Sequence, residues 1–255
     1  MKIQDTIKIL AYASLLCLGL FFVAGCTQET GTPPSKAPTA KAPTAPKEAG
    51  DVIPLDNSKG EASLTKNFYI IFDGSGSMND RPCGKDRKFD TKLDATKWAI
   101  AEFLKKVPGD VNLGLYVFDA AGAREVVKLG PKNRQEFSVA IMKAESGGAT
   151  PLAKAINYGT DRLVEQYKRQ LGYGEYRLIV VTDGQADGIP KAVARTQHLT
   201  FPIYTIGICI GNDHALYKLS HSYRAADNPA EIAKALEETV AELPTFDAGK
   251  FEKLN

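Results

Sequence analysis

An α/β fold is predicted by this sequence: a doubly wound, mostly parallel sheet with helices on both faces and one antiparallel edge strand. Three observations carry that expectation. From Leu64 onward, apolar runs of strand length alternate with segments of helical periodicity, the pattern of parallel strands covered by their own crossovers. One pair of strand-like runs is joined only by "AAGA", Ala120 to Ala123, too short for a crossover and suited to an antiparallel hairpin. Two of the apolar runs, "YIIFDGSGS" and "LIVVTDG", end in an acid followed by glycine. In sheets of this class ligands bind beyond the carboxyl ends of the strands, where the strand order reverses.

Taken in order, "NFYIIF" is a continuous apolar run and reads as a strand buried on both faces. "TKLDATKWAIAEFLKKVP" places Leu93, Ile100, Leu104 and Val107 at helical spacing. Thr91 and Asp94 form a capping-box pattern at its start, and Pro108-Gly109 ends it. "VNLGLYVFD" and "REVVKLG" are the hairpin strands, and "RQEFSVAIMKA" the next helix. After Gly147-Gly148, "PLAKAINYGTDRLVEQYKRQ" carries Leu152, Ile156, Leu163 and Tyr167 on one helical face. "YRLIVVTDG" is a buried strand, "PKAVARTQHL" a short helix, "FPIYTIGICIG" a further apolar strand and "NPAEIAKALEETVAEL" a closing amphipathic helix.

Ahead of this region the composition changes twice. Lys2 and Lys8 precede "ILAYASLLCLGLFFVAGC", an apolar run too short for a comfortable membrane span that ends in small residues, as an export signal does. An uncleaved anchor helix is the alternative. Val23-Ala24-Gly25-Cys26 resembles the lipobox of bacterial lipoproteins. The resemblance implies a signal peptide over 1–25, Cys26 as a lipidated (palmitoylated) first residue, and a cell-envelope location. Thr27, not being Asp, implies transport to the outer membrane in a Gram-negative cell. Residues 26–60 are rich in Pro, Thr, Ala and Lys, with the near-repeat "KAPTAKAPTAPKEAG". Such a segment cannot bury a core and reads as a tether, about 100 Å long if extended at about 3.1 Å per residue. The globular region is expected over 64–243, with a short tail at 244–255. A net charge of +2 over 255 residues, with no long basic block, argues against nucleic acid as a partner.

The two strand-end acids are Asp73 and Asp183, and Thr150 stands just before Pro151 at the start of the longest helix. Taken singly these residues have local explanations: Ser75 and Ser77 as turn residues, Thr150 as a helix N-cap, Asp183 as a strand-end acid. Taken together they resemble the von Willebrand factor type A domain from about Leu64 to Leu243. Asp73-Gly74-Ser75-Gly76-Ser77 matches its D-x-S-x-S motif, Thr150 its lone threonine, and Asp183 the acid of its T-D-G segment. The resemblance implies a metal-ion-dependent adhesion site holding Mg²⁺ or Mn²⁺. Ser75, Ser77 and Thr150 would be direct hydroxyl ligands, and Asp73 and Asp183 would act largely through coordinated water. It also implies a function in binding rather than in catalysis, with a protein partner supplying an Asp or Glu carboxylate. Neutral hydroxyl ligands leave the ion electrophilic, which suits an acidic sixth ligand. Gly74 and Gly76 are expected to let the loop turn, and Asp73, at the sheet's edge, to tolerate Ala without loss of fold.

Other chemistries fit less well. A haloacid-dehalogenase-like phosphotransferase would need a second acid where Ser75 stands. A nucleophile elbow would need Gly at 73. A dinucleotide fingerprint would need Gly at 79, where there is Asn. His198, His214 and His221 have no triad or zinc spacing and read as surface or packing residues. An ATPase-associated assembly subunit and a metal-dependent hydrolase remain as alternatives. The insertion Asn79 to Asp90 lies beside the proposed site; with Arg81, Lys85, Arg87 and Lys88 it reads equally as a specificity loop or a solvated one. Cys83 and Cys209 are a possible disulfide if the Cys209 side chain faces that loop.

Overall fold

The computed structural model describes residues 53–55, 60–85 and 88–241. The central strand β1 (Lys66–Asp73) is followed by a single 3₁₀ turn, Gly76–Asn79, and by α1 (Lys92–Lys106). The hairpin β2 (Asn112–Asp119) and β3 (Gly122–Gly130) leads into α2 (Arg134–Lys143) and α3 (Leu152–Arg169). Then come β4 (Glu175–Thr182), α4 (Ile189–His198), β5 (Ile203–Ile208), α5 (Ala215–Leu219), β6 (Ser222–Ala226) and α6 (Pro229–Val240).

The sheet order is β3-β2-β1-β4-β5-β6, parallel throughout except for β3, which runs antiparallel to β2 at one edge. This is the expected doubly wound arrangement. The order reverses between β1 and β4, so the crevice for chemistry opens beyond Asp73 and Thr182.

Side-chain alternation along β1 divides the core in two. Phe68, Ile70 and Phe72 pack with Phe103 of α1, Phe137 of α2 and Leu236 of α6; Tyr69 and Ile71 pack on the other face with Ile156 and Leu163 of α3 and Val193 of α4. Every residue of β1 after Lys66 is buried, which is why its sequence reads as an unbroken apolar run. The cap expected at Thr91 forms, its Oγ1 accepting from the Asp94 amide at 3.0 Å and donating to Asp94 Oδ2 at 2.8 Å.

Two elements were not foreseen. Strand β6 has only Ala226 fully buried and lies at the open edge, so its sequence shows no alternation to read. Helix α5 is a single short turn capped by His214.

Candidate metal-binding site at the sheet edge

The loop after β1 is anchored from below. Met78, an isolated apolar residue among Gly, Ser, Asn and Asp, is fully buried in the α1-side core, and its burial is worth about 2 kcal/mol. With Met78 directed inward, Ser77 and Asn79 are left at the surface. Gly74 is required by close approach: a Cβ there would sit 2.9 Å from that of Asp119. Gly76 has ordinary surroundings, and neither glycine has a positive φ, so the expected turning role is replaced by a steric one at Gly74 alone. The loop before α3 is laid against this one by Gly147 donating to the Gly74 carbonyl at 2.9 Å and Gly76 donating to the Gly148 carbonyl at 3.2 Å. That pairing carries Thr150 to the site.

Of the five residues expected from sequence, Asp73, Ser75, Ser77 and Asp183 are joined by hydrogen bonds at the edge, and Thr150 approaches them from the loop before α3. Asp73 Oδ1 accepts from the Ser75 amide at 2.8 Å, and its Oδ2 accepts from the Thr182 hydroxyl. Ser75 Oγ and Ser77 Oγ are 3.2 Å apart, and Ser77 Oγ donates to Asp183 Oδ1 at 2.8 Å. A Cβ added at Gly184 would lie 3.4 Å from Thr150 Oγ1 and 3.7 Å from Asp73 Oδ2, which places that hydroxyl and carboxylate around the same small space. Neighbouring oxygens of an octahedron with bonds of about 2.1 Å lie about 3.0 Å apart, so the 3.2 Å between the Ser75 and Ser77 hydroxyls suits a small divalent cation.

The hydroxyls are not consumed by local capping. Ser75 begins the 3₁₀ turn without a side-chain cap hydrogen bond, and the N-cap of α3 is Pro151, not Thr150. Asp73 is fully buried, Ser75 and Asp183 nearly so, whereas Ser77 is exposed and Thr150 half-buried. Burial pushes the Asp73 carboxyl above the usual range. The Ser75 and Thr182 hydrogen bonds oppose that shift, and the charge of Asp183 adds to it. This burial corrects the expectation for Asp73→Ala, which would strand the Ser75 amide at about 1–3 kcal/mol and leave the Thr182 hydroxyl only its longer contacts to Gly184.

Lys92 and Asp119, which the sequence did not single out, and His214, expected as a surface or packing residue and found buried, complete the surroundings. Lys92, first residue of α1, places Nζ 2.9 Å from Asp183 Oδ2 and 3.6 Å from Asp80 Oδ2, with its side chain 13% exposed. His214 Nε2 donates to the Gly184 carbonyl at 2.6 Å, and its Nδ1 accepts from the Leu216 amide at 3.0 Å. Asp119, a third strand-end acid, is buried against Arg124 at 2.6 Å and closes the hairpin. The signals were present: a Lys at the start of the helix after the loop, and an acid ending "VNLGLYVFD".

Cys83 and Cys209 form a disulfide with Cα atoms 5.7 Å apart, fixing the insertion to the end of β5. Asp227 Oδ1 lies 3.4 Å from Cys83 Sγ; with both thiols in the bridge, this trio is no metal site. Arg81 and Lys85 are exposed, Lys88 Nζ stands 4.4 Å over the Trp98 ring, and Arg87 lies outside the described residues, as does Cys26. The larger clefts, of about 730 Å³ beside α2 and about 780 Å³ along β6, are lined by none of the site residues.

Residues 67–248 match the von Willebrand factor type A domain family. The chain belongs to that family. A curated relative, an uncharacterised protein YwmD of Bacillus subtilis (strain 168), is 28% identical over 138 residues, covering 49% of this chain and 58% of that protein, less than two thirds of its length. Among solved structures, the manganese-loaded TRAP protein of Plasmodium vivax aligns with a TM-score of 0.52 at 17% identity, over 71% of this chain and 75% of that one. Proximal thread matrix protein 1 of the mussel byssus, with a zinc-occupied MIDAS motif, gives 0.54 at 14% identity, over 71% and 48%. At these identities the structural likeness carries the fold.

Proposed function

We propose that this von Willebrand factor type A domain is a lipid-anchored, metal-dependent protein-binding module of a bacterial cell envelope. Ser75, Ser77 and Thr150 hold Mg²⁺ or Mn²⁺ directly, and Asp73 and Asp183 hold it largely through water. A protein partner supplies an Asp or Glu carboxylate to the remaining position. The ion supplies positive charge that a carboxylate can reach; the protein's part is to set three neutral hydroxyls, of Ser75 buried, Thr150 half-buried and Ser77 exposed, beside two buried acids. The observation that carries this reading is the convergence of those five side chains, with the Ser75 and Thr150 hydroxyls not serving as helix caps. The manganese and zinc named for the TRAP and byssus proteins support a divalent ion here. A hydrolytic role finds less support. The histidine beside the Thr-Asp-Gly loop, His214, has both ring nitrogens engaged and offers no free base.

The test is capture of proteins from envelope extract by wild type and by Asp73→Asn, each in magnesium and in chelator, with circular dichroism checking the fold. Asn keeps the shape that Thr182 and the Ser75 amide pack against. Capture by wild type in magnesium alone is expected. Equal capture in all four conditions would overturn the reading.

A further inference from the structure

The Lys92 side chain is drawn into the site rather than into solvent. Its ammonium is 2.9 Å from Asp183 Oδ2 and 3.4 Å from the Ser77 carbonyl, and the chain is 13% exposed. The other Asp183 oxygen, Oδ1, is the one that Ser77 Oγ reaches. Asp183 is thus divided: one oxygen faces the proposed ligand hydroxyls, the other faces a fixed cation. The position follows from the fold. Lys92 opens α1, and its amide donates to the Asp80 carbonyl at 2.8 Å, which sets the helix start against the metal loop. Asp80 is the other acid near the ammonium, at 3.6 Å and with its side chain 70% exposed, so solvent screens it and Asp183 is the main partner.

Resting on the metal reading above, we infer that Lys92 sets the charge of the site, weakening its hold on the bare ion and favouring an anionic ligand on the bound one. Asp73 and Asp183 together would neutralise a divalent cation. With Lys92 beside them the filled site keeps one net positive charge, and a partner's carboxylate meets attraction where it would otherwise meet a neutral surface. The same positive charge repels the ion before a partner arrives. Metal retention and partner binding are therefore coupled, each favouring the other.

Calorimetric titration of Mn²⁺ alone into wild type, Lys92→Met, Lys92→Arg and Lys97→Met tests this. Removing the neighbouring charge in Lys92→Met should tighten Mn²⁺ binding about tenfold or more. Lys92→Arg, which keeps the charge, should stay near wild type, and so should Lys97→Met, which removes a charge farther along α1. The sign separates charge tuning from damage, because a disordered site binds the ion more weakly. Unchanged or weaker binding in Lys92→Met overturns the inference while leaving the metal reading standing. If wild type itself binds no Mn²⁺ at millimolar concentration, the metal reading fails and takes the inference with it.

Discussion

His214 shows how one side chain can brace a site that it does not enter. Its ring is neutral as folded, with the proton on Nε2, because the Gly184 carbonyl can only accept and the Leu216 amide can only donate. Burial lowers its pKa below the ordinary 6.5, and the bond to the Gly184 carbonyl opposes this in part. With the folded pKa depressed, the unfolded chain takes up the proton first as pH falls. Stability is therefore whole above about 6.5 and declines below it toward the folded value, at up to about 1.4 kcal/mol per pH unit. Urea midpoints between pH 7.5 and 5.5 check this in wild type and His214→Asn. Asn can still cap α5 but does not titrate. The variant is expected to be about 1 kcal/mol weaker at pH 7.5, through the lost bond to Gly184, and flatter in its pH dependence. Equal slopes in the two proteins would show that His214 does not control this window.

At the scale of elements, what could be read from sequence was whatever repeats or alternates. β1, β4 and β5 are buried runs, α1 and α3 show one apolar face, and the strand-end acids mark the reversal of strand order, so the topology was legible and the five candidate site residues could be placed at one edge. What could not be read depends on contacts between distant segments. β6 is half-exposed and has no pattern, and the place of Lys92 depends on how α1 is set against a loop. Cys209 illustrates the same limit. It follows the end of β5 with φ 58°, a left-handed conformation that breaks the strand's alternation, so its side chain direction could not be counted off from Ile203. That turn is what lets it meet Cys83 across a sequence separation of 126. Bridging so distant a pair restricts the unfolded chain by about 5 kcal/mol in the chain-entropy picture. Cys83→Ser with Cys209→Ser should therefore lose about 2–5 kcal/mol, read from urea unfolding, and wild type in reductant should follow it. Identical unfolding of oxidised and reduced wild type would mean that the bridge does not constrain the chain.

At the scale of the whole molecule, a module whose site lies at one edge of a sheet needs a way of being presented to partners. The segment up to Val52, outside the described residues, has the composition for this. Ile53 is buried with Tyr69 and Leu163, so the domain begins before the expected boundary at 60. The Pro-, Thr-, Ala- and Lys-rich stretch from Thr27 to Val52 could reach about 80 Å from a membrane surface when extended at about 3.1 Å per residue. Reach is useful only if the near end is held, and the one residue type there that takes a lipid after the apolar run is Cys26. A single acyl chain binds membranes only marginally, so stable anchoring requires more than one chain on that cysteine. The expected outcome is that fatty-acid label is incorporated into wild type and is absent from Cys26→Ser, which accumulates as unprocessed precursor or as a soluble product cut elsewhere. Metabolic labelling followed by membrane fractionation measures both. Wild type that carries no label, or label that persists in Cys26→Ser, would remove the anchor and leave the domain's presentation to some other means.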